Sequence, residues 1–573
     1  MRSNQLTIRL YRLTMPLHWL TFNNAADIQN IISRVTGGSV SKIDGLIYAN
    51  GTANLFLINP NGIIFGQNAR LNVGGSFVAT TANGIAFGNQ GFFSASNPES
   101  SSSLLTVNPS ALLFNQIKTA SIQNDSVARS GFNPSFEFIA TGLLVPDGKS
   151  LLLVGGDINM DGGGLYAFGG RVELGGLAGA GTVGLNGDAN NLSLSFPDSV
   201  EKSDVTLSNG AFVYVAAGDG GSIAVNARNL EMTGESYLLA GIESGLGSDN
   251  SKAGNIEVNT SGAINLSNDS LIANYVQART SGQGGDVNIN ANTLRVQGGA
   301  QVSAATDGAG KGGNLTVDAQ DIQLIGTSAD GRLPSNLSAS TQSNSTGDAG
   351  DLRIKANTLL VRDGAQVRAV TEGAGKEGNL TVDAQDVQLI GTSADRRLPS
   401  GLFSARLNLT GDAGDLTIKA NTLLVRDGAQ VNAATYGAGK GGNLTVNAQD
   451  IQLIGTTADG QFGSALGVSA EANSTGNAGD LTINTNTLLV RDGAQVGAVT
   501  FGKGKGGNLT VNAQDVQLIG ISADGRIGST LSASTQSNST GDAGDLTIKT
   551  NTLLVRDGAV VNTGTFGAGK GET

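Results

Sequence analysis

The chain has 573 residues but no cysteine, a single histidine, a single tryptophan and only 9 prolines. Without cysteine there is no disulfide, no thiol nucleophile and no thiolate-held zinc or iron–sulfur site. The same lack suits a chain that crosses an oxidising compartment unfolded, where stray bridges would trap it. The one histidine, His18, lies in an atypical leader and is given no catalytic or metal role. No stretch of 18 or more apolar residues occurs, so no transmembrane helix is expected. Positive charge is also short: 35 Lys and Arg stand against 47 Asp and Glu, a net charge of −12. A nucleic-acid partner needs a basic face to displace counterions, so none is expected. Arg2, Arg9 and Arg12 interrupt each apolar piece of the first 22 residues, and no signal peptide is readable there.

Glycine is what the chain has in excess, with 85 residues. It follows no Gly-X-Y triplet, which excludes collagen. The hydrophobic 39% is arranged in short alternating runs, unlike a disordered chain. Many short strands separated by Gly, Asn and Asp turns remain. The length exceeds what one core serves, so several domains or a repeat array are expected.

The array is explicit from about Gly218. Gly-Asp-Ala-Gly-Asp-Leu starts at Gly347, Gly411 and Gly541, and as Gly-Asn-Ala-Gly-Asp-Leu at Gly476, a period of 64 or 65 residues. Thr-Leu-Leu-Val-Arg-Asp-Gly-Ala-Gln-Val recurs from Thr358, Thr422 and Thr487, and with one change from Thr552. Such a fixed period marks a solenoid. Each repeat divides again, because Asp351 to Leu359 aligns with Asn314 to Ile322. Each half holds three alternating runs: Leu315/Val317/Ala319, Ile322/Leu324 and Leu337/Ala339. Period-two alternation turns these inward and Thr316, Asp318 and Gln323 outward. Three strands per turn describe an all-β, right-handed parallel β-helix, a pectin-lyase-like solenoid throughout. Thr327 to Pro334 form an extra loop in one half. About eleven coils past Gly218, at ~4.8 Å each, give roughly 50 Å of stacked repeats. A lone coil cannot offset its own ordering entropy, so stability comes from neighbours that cover its apolar ends. Like residues stacked coil on coil, Ala356 over Ala319 and Asn357 beside Gln320, form ladders.

Upstream, Leu55-Phe56-Leu57-Ile58-Asn59-Pro60-Asn61-Gly62-Ile63-Ile64-Phe65-Gly66 reads as strand, tight turn, strand. Pro60 fixes φ at the first corner and Gly62 accepts positive φ. With Phe22 to Gly38 before it and Leu71 to Thr81 after it, this stretch resembles the haemagglutination-activity (two-partner secretion) domain of filamentous haemagglutinin-like exoproteins. Asn59, Pro60, Asn61, Gly62 and Ile63 match that family's NPNGI signature letter for letter. The family's NPNL signature would fall at Asn23-Asn24-Ala25-Ala26, where only Asn23 agrees, and it is not carried over.

The resemblance implies three segments. Residues 1–21 are an atypical leader, read as a truncated or frame-shifted start, with a genuine alternative beginning as the other reading. Residues 22–217 are the secretion domain and cap the solenoid, and residues 218–573 are the repeats, cut off inside a repeat. It further implies an adhesin-like, extracellular or surface-exposed exoprotein whose N-terminal domain is recognised by an outer-membrane barrel transporter. Glycans or a host or neighbouring cell surface would be further partners of the rod. The five signature residues either contact the transporter or hold the domain's fold, and turn chemistry favours the second.

No enzyme, cofactor or metal is expected. Gly308-Ala309-Gly310-Lys311-Gly312-Gly313 satisfies a dinucleotide fingerprint in letters, yet a strand rather than a helix follows, so it reads as a corner. Gly148-Lys149-Ser150 lacks the spacing of a phosphate loop. Some parallel β-helices cleave polysaccharides, which makes a carbohydrate-active enzyme the alternative, with a passive envelope or matrix scaffold as a third reading. Asp348/Asp351, Asp412/Asp415 and Asp542/Asp545 are stamped into successive repeats, whereas an active site is one constellation of unlike groups. They read as turn residues capping backbone N–H groups, and the calcium-binding nonapeptide period is missing.

Overall fold

A computed structural model describes residues 5–10, 14–15, 19–95, 108–187, 191–407, 412–537 and 539–569. Arg2, Arg12, His18, Gly411 and the segment from Lys570 to Thr573 lie outside the described residues. Two compact units are present: Met1–Leu266 with Ser270–Ala273 and Asn290–Asn292, and the remainder from Ser267 to Thr573. Among the described residues the regular structure is strand, apart from one 3-10 turn at Gly88–Gln90.

In the first unit three strands recur per coil and pair in parallel with the coil before. The first row runs Asn30–Val35, Asn54–Ile58, Phe77–Thr80, Ser150–Gly155, Arg171–Gly176, Ser222–Ala227 and Ile256–Thr260. A second row includes Ser41–Ile43, Ile63–Phe65, Ile122–Asn124 and Ile158–Asp161. The expected leader is part of this stack, since Gln5–Leu10 pairs with Asn30–Val35 and Thr14–Met15 with Ser41–Ile43.

Two antiparallel additions interrupt the coils. Gly84–Ala86, Phe92–Ser94, Ala111–Phe114, Gly181–Gly187 and Leu192–Ser195 form a five-stranded sheet. Arg129–Phe132 and Ile139–Thr141 form a hairpin. The sheet lies over the outer face of the first row, where Ile32, Phe56, Val78 and Leu152 share a core with Ile85, Phe93, Leu112 and Val183. That cover explains why Asn54–Ile58 reads Asn-Leu-Phe-Leu-Ile rather than alternating: every residue in it is buried. A strand covered on both faces carries an unbroken apolar run.

In the second unit the first two rows are fused in Leu315–Ile325, Leu352–Arg362 and Leu380–Ile390, 11 residues each, and separate from Leu416–Lys419 onward. The third row runs Gln301–Thr306, Asn336–Thr341, Gln366–Thr371, Gly401–Arg406, Gln430–Thr435, Ala465–Ala470, Gln495–Thr500 and Thr530–Thr535. Each 64- or 65-residue repeat therefore winds through two coils, with three strands per coil where the rows are separate and two where they are fused. Leu315, Val317, Ala319, Ile322, Leu324, Leu337 and Ala339 are all buried. Asp363 and Gly364, both at positive φ (58° and 88°), turn the chain from the fused strand into the third row, as a tight primed turn requires.

The corner glycines answer to a different demand. A Cβ on Gly347 would lie 1.9 Å from the Gly310 carbonyl oxygen, and one on Gly378 would lie 1.8 Å from that of Gly350. Neither has positive φ. Successive coils touch backbone to backbone there, and only hydrogen fits between them.

Candidate functional site

Strand Asn54–Ile58 ends at Asn59, and the Gly62 N–H donates to the Asn59 carbonyl at 3.1 Å, closing a four-residue turn. Gly62 sits at φ 113°. The Asn59 side chain is fully buried and uses both ends. Its Nδ2 donates to the Ser39 carbonyl at 2.9 Å and to Ser41 Oγ at 2.8 Å, which ties the turn to the preceding coil. Its Oδ1 accepts from the Asn61 backbone N–H at 3.0 Å, an Asx turn, and from Asn61 Nδ2 at 3.1 Å. Asn61 Nδ2 also donates to the Gly37 carbonyl at 2.8 Å. Pro60 is buried, its carbonyl accepting from Gln116 Nε2 at 3.3 Å, and Ile63 is fully buried. Of the five signature residues only Asn61 keeps a half-exposed side chain.

One coil earlier, Asn24 does comparable work that sequence reasoning missed. It is buried; its Oδ1 accepts from the Asn50 N–H at 3.0 Å and its Nδ2 donates to the Asn50 carbonyl at 2.9 Å. Asn50 Nδ2 reaches Asn23 Oδ1 at 3.2 Å. The available signal was an asparagine closing each of two successive apolar runs, Leu20-Thr21-Phe22 and Leu46-Ile47-Tyr48-Ala49.

Buried charges fasten the antiparallel additions to the coils. Arg34, on the first row, donates through Nη1 to the Ser94 carbonyl at 2.5 Å and lies 4.1 Å from the centre of the Phe93 ring. Glu173 pairs with Arg171 and accepts from the Leu194 N–H at 3.0 Å; burial pushes its carboxyl above the usual range. Glu243 accepts from Asn133 Nδ2 and from the Tyr214 hydroxyl at 3.2 Å, and burial raises it likewise. These contacts hold the hairpin and the sheet against the stack. On the outside of the additions and their connections, Phe92, Ile117, Phe132 and Phe136 stand in solvent, with the rings of the last two 5.9 Å apart.

The repeated carboxylates have backbone partners. Asp351 Oδ1 accepts from the Asn379 N–H at 2.9 Å, Asn379 Oδ1 from the Asp415 N–H at 3.1 Å, and Asp415 Oδ1 from the Asn443 N–H at 2.9 Å. Asn443, Asp480, Asn508 and Asp545 continue the alternation. A parallel ladder caps the corner three residues earlier, Asp348 on the Lys376 N–H at 2.7 Å and Asp412 on the Lys440 N–H at 2.9 Å. Aspartate and asparagine alternate there because either supplies the acceptor oxygen for the next N–H, and Asn379 Nδ2 and Asn443 Nδ2 also donate to Asp351 Oδ1 at 3.3 Å and Asp415 Oδ1 at 3.0 Å. Among the described residues no cluster of three or more His, Asp or Glu side chains stands ready for a metal ion.

Residues 19–225 match the family described as TPS secretion domain. The heme/hemopexin-binding protein of Haemophilus influenzae is 35% identical over 88 residues, 14% of this chain and 10% of that protein. The chain thus spans about a tenth of the length of that curated relative. The crystal structure of the HMW1 secretion domain from Haemophilus influenzae aligns over 79% of this chain and 92% of its own, at 17% identity and a TM-score of 0.37.

Proposed function

We propose, from the match of residues 19–225 to the TPS secretion domain family, that an outer-membrane barrel transporter recognises the N-terminal unit and passes the chain to the cell exterior. The repeats then act outside the cell as an adhesive surface. The observation that carries this reading is the secretion-domain match, coupled with an NPNGI turn whose side chains are spent on the turn itself.

That geometry supports a division of labour. Asn59, Pro60, Gly62 and Ile63 are covered, so their role is to hold the turn between two coils rather than to meet a partner. The groups open to a transporter include Phe92, Ile117, Phe132 and Phe136 on and beside the additions, of which Phe132 and Phe136 form an adjacent exposed pair. Stacking drives the second step. Each coil that emerges buries the open apolar end of the one before, so winding outside the cell proceeds without an external energy source.

The test is surface display of the full chain in a Gram-negative host, produced behind a periplasmic export signal together with its barrel partner. Asn59→Ala combined with Asn61→Ala abolishes display on this reading, and Phe136→Glu reduces it while leaving the fold intact. Undiminished display of the double variant overturns it.

A further inference from the structure

The third-row face of the repeat unit is not uniform. A groove of about 590 Å³ lies over the strands Gln430–Thr435, Ala465–Ala470, Gln495–Thr500 and Thr530–Thr535. Its floor follows one register row: Asn432, Gly467, Gly497 and Ser532 are successive Cα partners. In the two coils before, the same row carries Arg368 and Phe403. Two consecutive glycines therefore open a depression where long side chains stood.

Aromatic rings stand at its margins. Phe462, in the loop that enters Ala465–Ala470, is 44% exposed, and Phe501, directly after Gln495–Thr500, is 40% exposed. The repeat position of Phe501 is Asp307 and then Glu372 in the two earlier repeats, but Tyr436, Phe501 and Phe566 in the last three. All three of these rings are exposed. Two coils separate successive rings, about 9.6 Å at 4.8 Å per strand, a reach of two pyranose units in an extended chain.

The lining narrows the class of ligand. It includes no lysine, arginine or aspartate among the described residues, and its one ionisable group is Glu471. Nucleic acids and acidic polysaccharides need cations, which are missing. A peptide adding as a strand needs a free sheet edge, and this face has its backbone groups in the ladders. Neutral sugars match what is present: amide and hydroxyl groups for their hydroxyls, and ring faces for their C–H faces.

We propose that this groove binds an extended, neutral oligosaccharide, with Phe462 and Phe501 as stacking platforms. The proposal rests on the adhesive reading for its biological purpose only; the binding itself is independent of export.

The test is titration calorimetry on the full chain with β-1,4-linked hexasaccharides of glucose, mannose, xylose and N-acetylglucosamine, and with hexagalacturonate as the acidic comparison. At least one neutral hexasaccharide binds saturably, and hexagalacturonate does not. Phe462→Ala and Phe501→Ala each weaken binding tenfold or more. Asn432→Phe abolishes it by filling the floor, and is tolerated because Phe403 already occupies the neighbouring place in that row. If either Phe variant lowers the melting temperature, Asn432→Phe decides. The proposal is overturned if no neutral hexasaccharide binds at millimolar concentration, if the acidic one binds better, or if binding survives Asn432→Phe. An exported chain that binds no sugar sinks the groove alone, and a chain that binds sugar but is not exported sinks the secretion reading alone.

Discussion

Asn59→Ala removes a fully buried amide that serves four hydrogen bonds. Ser41 Oγ can rotate and Asn61 Nδ2 can find water, but the Ser39 carbonyl and the Asn61 N–H are fixed by the coil and lose their partner. Both bonds are part-buried, so each loss falls near the lower end of the about 1–3 kcal/mol for an unpaired group. Together they give roughly 2 kcal/mol, or about thirtyfold in the opening equilibrium. Hydrogen exchange followed by mass spectrometry on the full chain reads this directly. Peptides covering residues 59–65 should exchange about thirtyfold faster in the variant, while peptides from Leu444–Asn447 in the repeat unit stay unchanged. Asn61→Ala, at a half-exposed site, should cost only about 1 kcal/mol. Acceleration below about threefold in Asn59→Ala refutes the claim that this side chain holds the turn.

Substitutions at four positions of the repeat unit give further outcomes. Gly476→Ala places a Cβ 1.8 Å from the Gly439 carbonyl oxygen and should destabilise by about 1–3 kcal/mol or more in urea unfolding. Gly326→Ala meets nothing within 4 Å and should cost only the left-handed penalty of about 1–2 kcal/mol. Asp351→Asn should be near neutral in the same assay, because the acceptor for the Asn379 N–H survives, whereas Asp351→Ala should lose about 1 kcal/mol. Glu377 is pushed up to about 8 by burial, despite its contact with the Gly414 N–H at 2.6 Å. The folded state then keeps a proton that the unfolded state releases near 4.5. Stability falls as pH rises from the ordinary carboxylate range to about 8, by at most about 1.4 kcal/mol per pH unit. Glu377→Gln should flatten that slope in thermal melts between pH 5 and 8.

The coil repeat was legible because its causes are local. Alternation in Leu315-Thr316-Val317 and the Asp363-Gly364 turn each act within a few residues, and the period repeats them. The corner aspartates were legible as capping groups for the same reason. What escaped depends on contacts between distant segments. Nothing near Leu55-Phe56-Leu57-Ile58 announces that a sheet built from residues 84–86, 92–94, 111–114, 181–187 and 192–195 will cover its outer face. Asn24 was passed over because its letters depart from NPNL, although its side chain makes the bridge from one coil to the next. The groove escaped because a glycine in a strand reads as weakness until its register neighbours, Arg368 and Phe403, show what is missing. Corner glycines were read as turn formers, and several of them are instead demanded by the approach of the neighbouring coil.

The central claim is that the N-terminal unit commits this chain to export by a partner barrel. The most direct measurement is the protease-accessible fraction of the full chain on intact Gram-negative cells, with and without the gene for the outer-membrane barrel. The account predicts surface-accessible chain only when the barrel is present, and periplasmic accumulation or degradation when it is absent. Equal surface exposure in both strains contradicts it.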